Sequence, residues 1–303
     1  NLKKQKKFFV EVNCPACKAD KKKNIFEKYS FKFQICKNCE TIFMSPRPTQ
    51  KIMDSYYQNS ENYKFWAENI FPKSESIRKN SIHKLWIRRI ISYIKKYNLS
   101  HKSIIEVGSG YGTFGDLTIT SKFFREYVGI EPTPELSKVC RNRNLKIINK
   151  KVEDVNLNKK FDVAVSFEVI EHIFNPELFL QKIGTFLKKK GCLFLSCPNG
   201  KGFDIEILRE QSQSVDSEHV NLFNPNSIEL LLNTNNFDVL EIFTPGRLDA
   251  EIVRDEILKG FTQIDSFLKK ILVEDWERIG WKFQKFLAKN NLSSHMWVCA
   301  QKR

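Results

Sequence analysis

Apolar runs recur along the middle of the chain, and each stops at a glycine turn or an acid. Ile104-Ile105-Glu106-Val107 runs into Gly108-Ser109-Gly110-Tyr111-Gly112, and Tyr127-Val128-Gly129-Ile130 ends in Glu131. Phe161–Phe167 reads as an unbroken strand that meets Glu168-Val169-Ile170-Glu171-His172-Ile173. Cys192–Cys197 is followed by the turn Pro198-Asn199-Gly200. Runs without polar alternation predict strands covered on both faces, the habit of a parallel sheet. Between them, Thr113–Ser121, Pro134–Arg143 and Pro176–Lys190 predict crossover helices, the last with Gly191 as its stop. Lys146–Asn149 is a short third strand. Ser227–Asn233 and Phe237–Phe243 give a helix and a sixth strand, and Met296–Ala300 is an apolar final one. Strands alternating with helices define an open α/β fold.

Upstream, Ile77, Ile82, Leu85, Trp86, Ile90 and Ile94 recur at spacings of an amphipathic helix over Ser76–Tyr97. Its Arg88-Arg89 and Lys95-Lys96 read as a solvated face. Residues 50–72 are dense in aromatics: Tyr56, Tyr57, Tyr63, Phe65, Trp66 and Phe71. Between the sixth and last strands, about 245–292, Ile252, Ile257, Leu258, Phe261, Ile264, Phe267, Leu268, Trp276, Ile279, Phe283, Phe286 and Leu287 recur at helical spacing. This insertion is either a cap over the site or a dimer contact.

Composition changes the picture little. The chain has 303 residues and 41% hydrophobic residues, room for one large domain and a small one. We find no apolar run of about 18 residues, so no membrane-spanning helix is expected. The basic start Asn1-Leu2-Lys3-Lys4-Gln5-Lys6-Lys7 is followed only by Phe8-Phe9-Val10, too short for a secretory signal, and a cytoplasmic location is expected. The net charge of +15 comes from scattered lysines without an aromatic-interleaved stripe. A phosphate-bearing small molecule suits it better than nucleic acid.

Cysteines add the first specific chemistry. Cys14-Pro15-Ala16-Cys17 and Cys36-Lys37-Asn38-Cys39 have the spacing of a structural Zn2+ ribbon, four thiolates closing a saturated tetrahedron. Disulfides or free thiols are the alternative. Asn24–Tyr29 and Phe31–Ile35 would be the strands between the knuckles. Cys140, Cys192, Cys197 and Cys299 fall on core elements and read as buried thiols.

The glycine turn fits two nucleotide cofactors. Gly110-x-Gly112-x-x-Gly115 matches the dinucleotide fingerprint, and Glu131 lies roughly 20 residues on, where ribose hydroxyls are bound. Read one glycine earlier, Glu106-x-Gly108-x-Gly110-x-Gly112 resembles the first motif of the class I S-adenosylmethionine (SAM) methyltransferases. That family's antiparallel last strand, absent from nicotinamide folds, favours SAM. With the two knuckles and the Ser45-Pro46-Arg47-Pro48 turn, the chain from about Val12 resembles a narrower group: zinc-module methyltransferases of deoxysugar, surface-polysaccharide and natural-product pathways. The resemblance implies a Rossmann-like seven-stranded sheet, an N-terminal zinc ribbon (1–50), a linker or cap (51–100), and a methyltransferase domain (101–303) carrying the insertion.

It also implies roles. Glu106, Gly108, Ser109, Gly110 and Gly112 would face the amino-acid and ribose part of SAM, Glu131 and Pro132 the ribose, Glu153 and Asp154 the adenine. Phe167 and Glu168 would end the strand beside the transferred methyl. Glu218-His219 would face the acceptor, with His219 as general base, Glu218 orienting it and His172 in reserve. The acceptor implied is a sugar or nucleotide-linked small molecule; an RNA methyltransferase and a non-catalytic partner subunit are the alternatives. A homo-oligomer is compatible with the sequence.

Overall fold

The structure, a computed structural model, describes residues 2–59, 64–260 and 264–303. Tyr63 and Phe261, both singled out above, lie outside the described residues.

The N-terminal part is a small antiparallel sheet. Strand β1 (Lys22–Lys28) pairs with β2 (Phe31–Cys36), and β2 with β3 (Ile42–Met44). Its fourth strand is Asn221–Leu222, contributed from far along the chain and pairing Ile42 with Leu222. That pairing stitches the cysteine module to the segment holding Glu218 and His219. Helix α1 (Gln50–Asn59) buries Ile52 and Met53 against this sheet.

A helical stretch then runs from Trp66 to Lys96. It is interrupted by π-helical turns at Trp66–Ile70 and Lys79–His83, which flank α2 (Phe71–Arg78) and lead into α3 (Lys84–Lys96). Ile87, Ile90 and Ile94 are its buried stripe. Arg89 is not simply solvated: its guanidinium lies over the rings of Phe243 and Trp297, 5.1 and 4.9 Å from their centroids. A guanidinium is weakly hydrated and stacks on aromatic faces.

Among the described residues the main sheet has seven strands. They are β4 (Ser103–Val107), β5 (Glu126–Ile130), β6 (Ile147–Ile148), β7 (Phe161–Phe167), β8 (Leu187–Pro198), β10 (Phe237–Phe243) and β11 (His295–Lys302), with Asn221–Leu222 as β9. Their order is β10-β11-β8-β7-β4-β5-β6, and β11 runs antiparallel to both neighbours. The sheet is Rossmann-like with the expected reversed last strand. Helices α4 (Thr113–Ser121), α5 (Pro134–Asn142) and α6 (Pro176–Phe186) make the crossovers.

Helix α6 stops at Phe186, four residues short of the expected end, and Leu187–Lys190 already belongs to β8. Leu187 pairs with Phe161. Gly191 is no helix cap: a Cβ there would meet Lys188 O at 2.9 Å and Asp162 O at 3.1 Å, so it lets two backbones approach. Helices α7 (Phe203–Leu208) and α8 (Pro225–Thr234) follow β8. The insertion forms α9 (Asp249–Leu258), α10 (Ser266–Lys269) and α11 (Trp276–Lys289). Its Ala250, Val253, Leu272 and Leu287 pack on Phe203 and Leu208 of α7.

Asp162 anchors β7 to the start of β4 and the loop before it. Its buried carboxylate accepts from Ser100 Oγ (2.6 Å) and from Ser103 N and Oγ (2.9 and 3.0 Å), with Lys188 Nζ at 2.8 Å. Burial opposes ionisation, but these donors outweigh it and hold the group down to about 2. The stabilisation is therefore complete above the ordinary aspartate value and lost as pH falls toward 2. Asp162→Asn is expected to lower unfolding free energy by ~2 kcal/mol at pH 7. In denaturant titrations the gap should narrow from pH 4 downward; a gap independent of pH would contradict the ion-pair account.

Candidate functional site

A cavity of about 310 Å³ opens at the carboxyl ends of β4, β5 and β7. Strand order reverses there, since β4 is flanked by β5 on one side and β7 on the other. Open α/β sheets bind ligands at such a point. Gly108 and Ser109 donate backbone N–H groups to Ile130 O, which folds the glycine turn back over β5. Gly108 and Gly112 have φ of +85° and +78°, a left-handed backbone that glycine adopts without Cβ strain. Gly112 starts α4, so the helix's N-terminal N–H groups border the turn.

Glu106 lies at the floor, buried, accepting from Tyr127 Oη. Burial, opposed by that bond and assisted by the charge of Glu131, pushes its pKa up to about 8. Glu131 is buried as well, and each oxygen accepts one backbone N–H: Gly110 N at 2.8 Å and Thr133 N at 2.8 Å. The carboxylate thus fixes the glycine turn and keeps lone pairs for a ligand's hydroxyls. Pro132 and Glu153 line the adjoining wall. Asp154 does not: its side chain is 60% exposed and lies 3.8 Å from Lys151 Nζ. Of the two acids expected near the adenine, the structure turns Glu153 inward.

Phe167 and Glu168 end β7 on the opposite wall. Glu168 has a φ of +54°, uncommon for a side-chain-bearing residue and typical of a constrained site. It accepts from Ser196 Oγ at 2.6 Å and faces His295 Nε2 at 3.3 Å. Burial raises its pKa, and His295 with Ser196 outweighs that and lowers it.

His172 reaches the cavity, whereas His219 and Glu218 stand behind it and are not among the lining residues. The two imidazoles lie edge to face, centroids 4.7 Å apart. Burial, with the neighbouring His219, lowers the His172 pKa to about 3, so the ring is neutral near pH 7. Its Nδ1 faces Glu218 O at 3.2 Å, and His219 Nδ1 faces Ser214 O at 2.9 Å. Glu218 itself accepts from Tyr56 Oη at 2.6 Å. Glu171 packs beside the pair and is 1% exposed. Its pKa is raised, by burial first and by the charge of Glu168 second.

Several lining residues carried no chemical signal in the sequence. Arg78, His83 and Trp86 are such residues, from the helical stretch before the sheet, whereas Tyr57, one of the aromatics singled out above, joins them from α1. Trp86 was legible only as a core position; its ring in fact packs tilted against Phe167, centroids 4.4 Å apart. None of the described insertion residues lines the cavity, so α1, α2 and the start of α3 cover it instead.

The four knuckle cysteines converge. Cys14 and Cys39 sulfurs are 3.4 Å apart, Cys17 and Cys36 3.5 Å, and none of the chain's eight cysteines, all among the described residues, is joined in a disulfide. The knuckles share one shape: Lys18 N bonds Cys14 O and Glu40 N bonds Cys36 O, with Lys18 and Glu40 at φ of +65° and +57°. A zinc–sulfur tetrahedron has edges of about 3.8 Å, so the donor set fits Zn2+ after a small expansion. Arg47, from the turn after the module, is 3% exposed and crosses to the site. It donates to Asn221 Oδ1 at 2.7 Å and to Phe174 O. Asn221 Nδ2 in turn donates to Ile170 O (3.2 Å) and Ile173 O (2.7 Å), bracketing the His172 turn.

Comparisons agree with this geometry. A family profile described as a methyltransferase domain matches residues 79–242. An uncharacterized protein of Methanocaldococcus jannaschii, MJ1123, is 24% identical over 162 residues, covering 53% of this chain and 69% of that protein. The mitochondrial ubiquinone biosynthesis O-methyltransferase of Rattus norvegicus is 30% identical over 112 residues, 33% of this chain and 32% of that enzyme. The chain thus spans only about a third of the rat enzyme's length. The plantazolicin methyltransferase BpumL, solved in complex with S-adenosylhomocysteine (SAH), superposes with a TM-score of 0.53 at 12% identity, over 83% of this chain and 94% of that one. At that identity the likeness concerns the fold.

Proposed function

The chain belongs to the methyltransferase-domain family, and from that premise we propose that it methylates a hydroxyl of a small sugar or nucleotide-linked acceptor, using SAM. The observation that supports this most is one cavity bordered on one side by Glu131 and the glycine turn and on the other by His172. When bound, SAM supplies an electrophilic methyl on a cationic sulfur. Glu106, Gly108, Ser109, Gly110 and Gly112 would hold its amino-acid and ribose portions, Glu131 and Pro132 the ribose, and Glu153 the adenine. Phe167 and Glu168 would shape the wall beside the reacting carbon. Glu168 adds negative charge next to a cationic donor.

The acceptor would enter under α1 and α2. Trp86, Tyr57 and Phe71 offer faces for a sugar ring, and Arg78 and Lys151 offer cations for phosphate. Its proton would leave at the His172–His219 corner, with Glu218 positioning His172 through its carbonyl. Similarity to O-methyltransferases of ubiquinone biosynthesis supports an oxygen nucleophile. Residues 1–50, in this reading, carry a structural Zn2+ on Cys14, Cys17, Cys36 and Cys39, residues 51–100 cover the cavity, and residues 101–303 carry the transfer machinery.

His219→Ala is expected to reduce turnover about 100-fold while leaving SAH affinity nearly unchanged. The check is SAH release from SAM with a panel of nucleotide-linked sugars, beside calorimetric SAH titration. Unchanged turnover would remove His219 from the reaction. Methylation of RNA, with no transfer to any small hydroxyl compound, would overturn the acceptor class.

A further inference from the structure

We propose that Glu171, His172 and His219 form a binding site for a divalent cation at the acceptor end of the cavity. The inference rests on the methyl-transfer reading only for what the cation would do there, not for its existence.

One donor atom from each of the three side chains can be chosen so that all lie within 4.8 Å of one another. His172 Nε2 is 3.9 Å from Glu171 Oε1. Two imidazoles and one carboxylate are a recurrent ligand set for divalent transition metals, leaving further positions open. Rotations of the three side chains would bring the donors to the separation of about 3.4 Å that bonds of 2.0–2.2 Å require.

Glu171 supplies an independent observation. It is 1% exposed, and among the described residues no donor from any other residue bonds either of its oxygens, its own backbone N–H being the one donor nearby. A buried carboxylate without donors from other residues is costly, and a bound cation is one of the few groups that offsets that cost.

The imidazoles are oriented for the same task. A carbonyl oxygen can only accept, so the ring nitrogen facing it must carry the proton. Nδ1 of His172 faces Glu218 O and Nδ1 of His219 faces Ser214 O, which leaves each Nε2 with a free lone pair. Ligating histidines commonly donate their other nitrogen to a carbonyl in this way. Both arms are also fixed in place. Glu171 and His172 sit in a 3-10 turn whose carbonyls at Ile170 and Ile173 are held by Asn221, two residues after His219.

His172 borders the cavity, so a cation here would present its open positions to the acceptor. It would bind the acceptor's hydroxyl oxygen and favour loss of its proton to water; the oxygen's pair would then form the new C–O bond as the methyl–sulfur bond breaks, that bond's pair returning to sulfur and neutral SAH leaving. The corner would then act through the cation, its imidazoles serving as ligands. This selects acceptors that can ligate through oxygen over amines and carbon nucleophiles.

The test uses the full chain with its cysteine module zinc-loaded and Mn2+ as the probe, since Mn2+ prefers oxygen and nitrogen ligands to thiolates. Loss of the free Mn2+ paramagnetic signal should report one site per chain in the wild type. Glu171→Gln should weaken that binding by ~100-fold or more. SAH affinity, measured in parallel, should be unchanged and certifies the fold; should Glu171→Gln lose it, His219→Gln takes its place. No Mn2+ uptake by the wild type at 1 mM (roughly the weak limit for a functional divalent site), or equal uptake by the variant, overturns the proposal. Mn2+ bound by a protein that ignores SAM and SAH would leave the cation site standing and remove the methyl-transfer reading.

Discussion

Gly108→Val is expected to weaken SAM binding at least ~100-fold, because two penalties fall on one atom. At a φ of +85° any Cβ is strained, and a β-branched one most. The ideal Cβ would also lie 2.4 Å from Val169 Cγ2, well inside van der Waals contact. Val169 follows Glu168 in the turn that leads to His172, so the strands' ends would be forced apart on both sides of the cavity. Gly110→Ala is the internal control. Its φ is +53°, but nothing lies within 4 Å of the added carbon, so only the backbone cost of roughly 1–2 kcal/mol applies. Calorimetric titration of both variants checks the contrast. Equal effects at the two positions would mean that the close approach to Val169 is not what the glycine serves.

The second large effect concerns the cysteine module. Cys36→Ser is expected to abolish stoichiometric zinc and lower the melting temperature by more than ~10 °C. Binding of structural zinc is worth several kcal/mol or more, and each kcal/mol moves the midpoint of a domain of this size by about 2–4 °C. The loss would not stay local. Cys14, Cys36 and Phe43 belong to the same apolar core as Ile105, Val107 and Phe179 under the main sheet. Strand β3 pairs with β9, and Arg47 reaches Asn221 and Phe174 beside the His172 turn. Loosening the module therefore loosens the acceptor corner, and SAH affinity should fall along with stability. Metal analysis and thermal unfolding of the two proteins decide the matter: a variant that keeps its melting temperature would show that the module's order owes nothing to metal.

The elements that carry their own local signal were readable in the chain. The central strands β4 and β7 are short runs buried on both faces, and Phe237–Phe243 and Thr113–Ser121 fall where periodicity puts them. Gly108 and Gly112 were legible because a tight turn with positive φ leaves few alternatives to glycine. The position of β11 was foreseen from the resemblance rather than from pattern, since no spacing fixes strand order. Lys188, Lys189 and Lys190 suggested a helix end, and only the pairing of Leu187 with Phe161 reveals a strand. Strand β9 is two residues long and exists because β3 offers it an edge.

The acceptor side was the less legible half, for a physical reason: its residues are set by contacts between segments distant in sequence. His219 and His172 were both named, but nothing in the chain says which one reaches the cavity. The two rings meet at 4.7 Å, and of the pair His172 is the one that lines the cavity. Glu171 read as one letter of an acid-histidine motif, and its lack of donors from other residues appears only once the surrounding strands close over it. Arg47 looked like part of a turn, and its role as a strut depends on Asn221, far along the chain.

Isothermal calorimetry of the purified, zinc-replete protein with SAM, and then with SAH, tests the central claim most directly. The account predicts one site per chain for each, in the micromolar range or tighter, competing with one another and weakened by Gly108→Val. Absence of any binding heat or competition at millimolar concentrations of both would contradict it.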